Sequence, residues 1–62
     1  MIKPRLLSIE QAAIYLGRTP GAVRELIYKG RLPMVKLDRR IHLDLNDLDR
    51  IIEQHKVTEA VF

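Results

Sequence analysis

Apolar positions return every three or four residues along 7–16 and again along 20–28. They alternate along 32–43, then resume the longer rhythm along 45–55. A period near 3.6 marks a helix with one buried stripe, and a period of two marks a strand with one buried face. The predicted order is therefore helix, helix, two-stranded hairpin, helix. Ser8 stands before the first helix with Gln11 three residues on, the spacing of a reciprocal capping box, and Leu7 is placed to staple onto Ala12. Ile9, Ala12, Ala13 and Leu16 form the inward stripe, and Gly17 is placed to close the helix in a left-handed turn. The second helix restarts at once. Thr19 caps it, Pro20 takes the first helical position where its missing N–H costs nothing, and Gly30 terminates it. Val23, Leu26 and Ile27 make its buried stripe. Gly21, in the first turn, lowers helix propensity by up to about 1 kcal/mol against Ala, and nothing structural asks for it there.

In "LPMVKLDRRIHLDL" the register of the hairpin has to be decided. A two-residue turn sets Leu37 opposite Arg40 and mixes the faces. A three-residue tip, Asp38-Arg39-Arg40, pairs Leu37 with Ile41 and Val35 with Leu43, which leaves one face wholly apolar and is the expected choice. Such a tip ordinarily uses a Gly with positive φ. None is present, so Asp38 or an Arg is expected to take that conformation at some cost. For the third helix Asp44 is the expected cap, Asp47 a weaker capping-box partner, and Leu43 a staple onto Leu48. Acids at its start and Lys56 near its end suit the helix dipole. Leu48, Ile51 and Ile52 point inward, with His55 a candidate fourth. Met34 and Tyr15 read as core or core edge, and Asp47, Asp49 and Glu53 as a solvated outer face.

A length of 62 residues supports a single domain, expected over 1–56 with 57–62 as a tail. A chain this short buries only about 60% of its unfolded surface, so its stability should be marginal. No Cys is present, which excludes disulfides and thiolate metal sites and suits a reducing compartment. No apolar run nears the roughly 18 residues of a membrane span, and "MIKPRLLSIE" lacks a signal-peptide core. A soluble cytoplasmic protein without membrane association is the expectation. His42 and His55 have no partners at metal spacing, and no Ser–His–Asp set or carboxylate pair suggests catalysis. Neither an enzyme nor a cofactor is expected. Charge is distributed unevenly. Arg18, Arg24, Lys29, Arg31, Lys36, Arg39 and Arg40 face only Glu25 and Asp38 within 18–40, whereas 41–62 holds five acids and two cations. The middle of the chain would attract a polyanion, unless the cations merely cluster by chance on a solvated face.

Ala13, Gly17, Val23 and Leu26 follow the spacing A-x3-G-x5-V-x2-L. A small residue allows close approach, Gly makes the turn, and Val and Leu fill the angle between two helices. This spacing resembles the DNA-binding helix-turn-helix signature. With "GRLP" at 30–33, "DRR" at 38–40 and "DLDRII" at 47–52, the chain from about 6 to 54 looks like the small excisionase-type winged helix-turn-helix domains, related to the headpiece of MerR-type regulators. The visible departure is Asp38, where that family usually carries Gly.

The resemblance implies a mainly α fold with a small β-hairpin, double-stranded DNA as partner, the helix over 19–29 in the major groove, and a basic wing over 34–43 on the backbone or minor groove. Thr19, Gly21, Arg24, Glu25 and Tyr28 fall at or near the groove-facing positions. Gly21 would let backbone approach DNA, and Thr19 would serve both helix end and phosphate. Arg24 would read guanine O6 and N7. Glu25 either accepts from a cytosine amine or pairs with Arg24 or Lys29. Tyr28 either touches phosphate and sugar or packs half-buried at an edge. Arg18, Lys29, Arg31, Arg39 and Arg40 would contact phosphate or the minor groove. The expected role is a recombination directionality factor or a small transcriptional regulator, with an integrase or other recombinase, RNA polymerase, or further copies of the chain on DNA as partners, at the nucleoid. MerR-type regulators dimerise through a long helix after the headpiece. About three turns of last helix are present here, so pairing is expected from "KVTEAVF" or from DNA. Val57, Val61 and Phe62 are apolar enough to join a neighbour, or the tail simply frays. The rival from another class is a winged-helix adaptor that binds protein without reading DNA.

Overall fold

The computed structural model describes Ile2 and residues 4–58. Their order is β1 (Leu6–Leu7), α1 (Ile9–Leu16), α2 (Pro20–Tyr28), β2 (Val35–Leu37), β3 (Arg40–Asp44) and α3 (Leu45–Gln54). The predicted sequence of three helices and a hairpin is present, mainly α with a small antiparallel sheet. The short strand β1 was not foreseen. The sheet runs β1-β3-β2, with β3 central.

Local chemistry sets the helix ends as expected. Ser8 Oγ accepts from the Gln11 N–H at 3.1 Å while Gln11 Oε1 accepts from the Ser8 N–H at 3.0 Å, closing the capping box. Gly17 is left-handed at φ 68°, and the Arg18 N–H reaches back to the Ala13 carbonyl at 2.8 Å. Thr19 Oγ1 accepts from the Ala22 N–H at 3.2 Å, with Pro20 opening the helix. Gly30, at φ 73°, ends α2 in the same fashion, and the Arg31 N–H reaches the Leu26 carbonyl at 3.0 Å. Asp44 caps α3 by accepting from the Asn46 N–H at 2.9 Å.

The core is small: Ala12, Ala13, Val23, Leu32, Leu43 and Leu48 are buried, with Leu7, Ile9, Leu16, Leu26, Ile27 and Leu45 packed against them. Ala13 on α1 and Val23 on α2 both lie in this core between the packed helices, and a residue as small as Ala13 suits their close approach. Each fully buried Leu contributes about 1.5–3 kcal/mol. Leu32, the apolar residue of "GRLP", joins this core, a role the alternating pattern alone did not assign.

The hairpin departs from the expected register. Leu37 pairs with Arg40, Lys36 with Ile41 and Val35 with His42, around a two-residue turn. Asp38 and Arg39 both carry positive φ, 49° and 66°, the mirror-image turn whose twist matches that of the flanking strands. Turn geometry prevails over uniformity of faces because the wing has little to bury: Leu43 is fully enclosed, but Leu37 and Ile41 are only about half-buried. The expected positive φ does occur, at both turn residues.

Other packing expectations also need correction. His55 is exposed rather than inward, its Nδ1 lying 2.9 Å from the Ile51 carbonyl. Met34 and Tyr15 are about half-exposed, and Tyr15 uses its hydroxyl to donate to Asp49, tying α1 to α3. Asp49 is therefore engaged, not merely solvated. Asp47 is mostly covered and sits 3.6 Å from Arg50 instead of completing a capping box. Glu53 pairs with Lys56 at 2.8 Å. Ahead of the sheet, Arg5 grips Asp44 with Nε at 3.2 Å from both carboxylate oxygens and Nη2 at 2.9 Å from one. This pins the chain leading into β1 to the start of α3. Val57 is exposed, and Val61 and Phe62 lie outside the described residues.

Candidate nucleic-acid interface

α2 divides cleanly into two sides. Val23 is buried, Leu26 and Ile27 half-buried, and Gly21, Arg24, Glu25 and Tyr28 exposed. Positions 21, 24, 25 and 28 are spaced to share one helix face. They form a ridge opposite the core, and Tyr28 at its end is 93% exposed, which removes the half-buried reading. Thr19 stands exposed at the helix start, with Lys29 just past its end.

Gly21 has no internal explanation. A Cβ there would meet nothing closer than Thr19 Oγ1 at 4.0 Å. The protein itself leaves room for a methyl group, so nothing inside the fold requires Gly at this position.

Ion pairs arrange the ridge. Lys29 Nζ is 2.8 Å from Glu25 Oε1, so of the pairings open to Glu25 the one with Lys29 forms. The hydrogen bond from Lys29, then its charge, and the field of Arg18 hold the Glu25 carboxyl below its usual range. Arg24 lies 3.9 Å from Glu10 of α1, a long contact between two exposed groups that costs little to break. Its guanidinium remains available on the ridge.

Cations surround this face. Arg18 in the turn between α1 and α2 and Arg31 after α2 are exposed and, with Lys29 and Glu25, border a cleft of about 490 Å³ reaching Ile51, Ile52 and His55. On the opposite flank Arg24 and Tyr28 border a second groove, floored by Ile9, Ile27, Met34 and Ile41. The wing tip exposes Arg39 and Arg40. All ten sequence-predicted residues thus lie on the surface, and Thr19 also makes the helix-capping bond.

The observed register adds a residue. Directly opposed residues of an antiparallel pair share a face, so Lys36 lies on the face of Ile41, which borders α2, while Arg40 shares the other face with Leu37. In the sequence Lys36 contributes only to the overall charge of the middle of the chain. The signal that would have placed it is the turn: two residues with positive φ force the tighter loop.

Two helices crossing at a tight glycine turn, the second one exposed, with a hairpin beside it, define a winged helix-turn-helix DNA-binding protein. The chain belongs to the helix-turn-helix domain family, whose model matches residues 6–56. No curated protein and no solved structure gives a significant match. No helix among the described residues is long and apolar enough to cross a membrane.

Proposed function

We propose that this domain, over 1–56, binds specific duplex sequences by laying α2 in the major groove and its wing along the adjoining backbone or minor groove. The observation that carries this reading is the ridge of Gly21, Arg24, Glu25 and Tyr28, exposed opposite the core, with Arg18, Lys29 and Arg31 along the cleft beside it, Lys36 on the wing face that adjoins α2, and Arg39 and Arg40 exposed at the wing tip. Arg24 reads a guanine edge, Gly21 admits close backbone approach, and Thr19 and Tyr28 touch phosphate or sugar. Lys29 neutralises Glu25, so Glu25 orders the ridge more than it reads a base.

One module of this kind covers about 600–1,000 Å² of interface, so single-site affinity is modest. Working sites accordingly contain several copies or a helper protein. This suits an accessory factor that acts with a recombinase on adjacent repeats, in the excisionase manner, or a small regulator acting with RNA polymerase at the nucleoid. The reaction chemistry in either case belongs to the partner.

Fluorescence anisotropy on duplex DNA across a salt series tests the reading. Neutralising five to seven phosphates gives a log K against log salt slope of roughly −5 to −6. Weak binding that hardly changes with salt would instead favour a protein-binding adaptor.

A further inference from the structure

The open groove between α2 and the wing encloses about 370 Å³ and is lined by Ile9, Arg24, Ile27, Tyr28, Met34 and Ile41. Its floor is apolar, and two of its members remain substantially uncovered, Met34 at 48% and Ile41 at 39%. In a chain with so small a core, leaving these side chains in water forfeits stabilisation that burial would give. The rim is cationic: Arg24 stands on one side, and Lys36 shares the wing face of Ile41 on the other. A cationic border suits a polyanion, yet phosphate alone gains nothing from an apolar floor. The major groove of DNA presents one apolar group among its base edges, the 5-methyl of thymine.

We infer that this groove receives a thymine methyl, at a base pair next to the one Arg24 contacts on the wing side, so that Met34 and Ile41 help set sequence preference. The inference rests on the proposed docking of α2 in the major groove, and it places Met34 and Ile41, on the side of the wing that meets α2, over that same groove while the wing tip reaches the backbone or minor groove. It assigns base discrimination to two residues that lie outside the exposed ridge of α2. Arg24 supplies the polar half of the recognition and the groove floor the apolar half.

The test begins with selection of preferred sites from randomised duplexes by the full chain. Each thymine of the selected site is then replaced by deoxyuridine, which keeps every hydrogen-bonding group and removes only the methyl. One replacement should weaken binding roughly fourfold, the value of one methyl-sized apolar contact. Met34→Gln, similar in size but polar, should abolish that difference, and Ile41→Thr should reduce it. Both positions are half-exposed, so circular dichroism should show the folded state retained. If Met34→Gln is lost to misfolding, Ile41→Thr carries the test. Failure to select any sequence would overturn the major-groove reading itself. A selected site indifferent to deoxyuridine would overturn only the thymine contact, and a uniform loss with Met34→Gln on every duplex would then place deoxyribose over the floor. A deoxyuridine penalty unchanged in both variants would put the methyl elsewhere and equally refute the assignment.

Discussion

Lys36 stands directly opposite Ile41 across the wing, whereas Arg40 stands opposite Leu37. The two basic residues therefore occupy different faces, and only that of Lys36 adjoins α2. Lys36→Ala should weaken binding to all duplexes alike and reduce the salt slope by about 1, as expected on losing one phosphate contact. Arg40→Ala should do the same more weakly. Anisotropy at several salt concentrations decides it. A larger effect from Arg40 would mean that DNA meets the wing from its other side.

The glycines of the helix-turn-helix separate two demands. Gly17 holds φ at 68° with nothing within 4 Å of an added Cβ, so Gly17→Ala suffers only backbone strain, about 1–2 kcal/mol. Gly21 sits in ordinary helix with a Cβ site that is free, so Gly21→Ala should stabilise the protein by up to about 1 kcal/mol. The same methyl should cost roughly 1–3 kcal/mol of duplex affinity if backbone must approach DNA there, the range of an overpacked contact. Thermal unfolding and duplex titration of the two variants give opposite signatures. Gly21→Ala binding DNA at full strength would remove the reason offered for that glycine.

The contrast shows which features were legible in the sequence. Caps and terminators at Ser8, Gln11, Gly17, Thr19, Pro20, Gly30 and Asp44 act over a few residues, and all fall where the pattern put them. The exposure of the ridge on α2 follows from the same local periodicity. What failed depended on competition or distance. Face uniformity favoured a three-residue tip, but Asp38 and Arg39 both adopt the left-handed conformation and tighten the turn. Contacts joining residues 39 and 34 apart, Arg5 with Asp44 and Tyr15 with Asp49, leave no trace in any periodicity. Strand β1 is equally silent, because two residues are too few to alternate.

The Arg5–Asp44 clasp predicts acid sensitivity. Hydrogen bonds from the Arg5 guanidinium, then the Asn46 N–H, hold the Asp44 carboxyl below the usual carboxylate range. The folded state thus keeps Asp44 ionised at pH values where the unfolded chain protonates it. The stabilisation is complete above the ordinary Asp value, about pH 4, and is lost as pH falls through the lowered folded value. Asp44→Asn should lower stability at neutral pH and flatten the decline below about pH 4. Chemical denaturation at a series of pH values checks this. A variant with the same acid slope as the parent protein would show that the clasp contributes nothing to it.

Arg24 offers the sharpest separation of charge from geometry. Its contact with Glu10, at 3.9 Å between exposed side chains, is too weak for its loss to affect folding. Arg24→Ala should leave unfolding unchanged, relax preference at one base pair, and cost about 1–3 kcal/mol on the preferred site. Arg24→Lys keeps the charge but loses the planar fork that matches guanine O6 and N7. It should therefore retain binding to random duplex while losing most of the discrimination. Glu10→Gln releases Arg24 from its one carboxylate neighbour on α1, and should raise affinity for all duplexes slightly without altering the preferred site. Competition between preferred and scrambled duplexes measures all three. If Arg24→Lys discriminates as well as Arg24 does, the residue acts as a point charge on phosphate, and sequence is read elsewhere on the ridge.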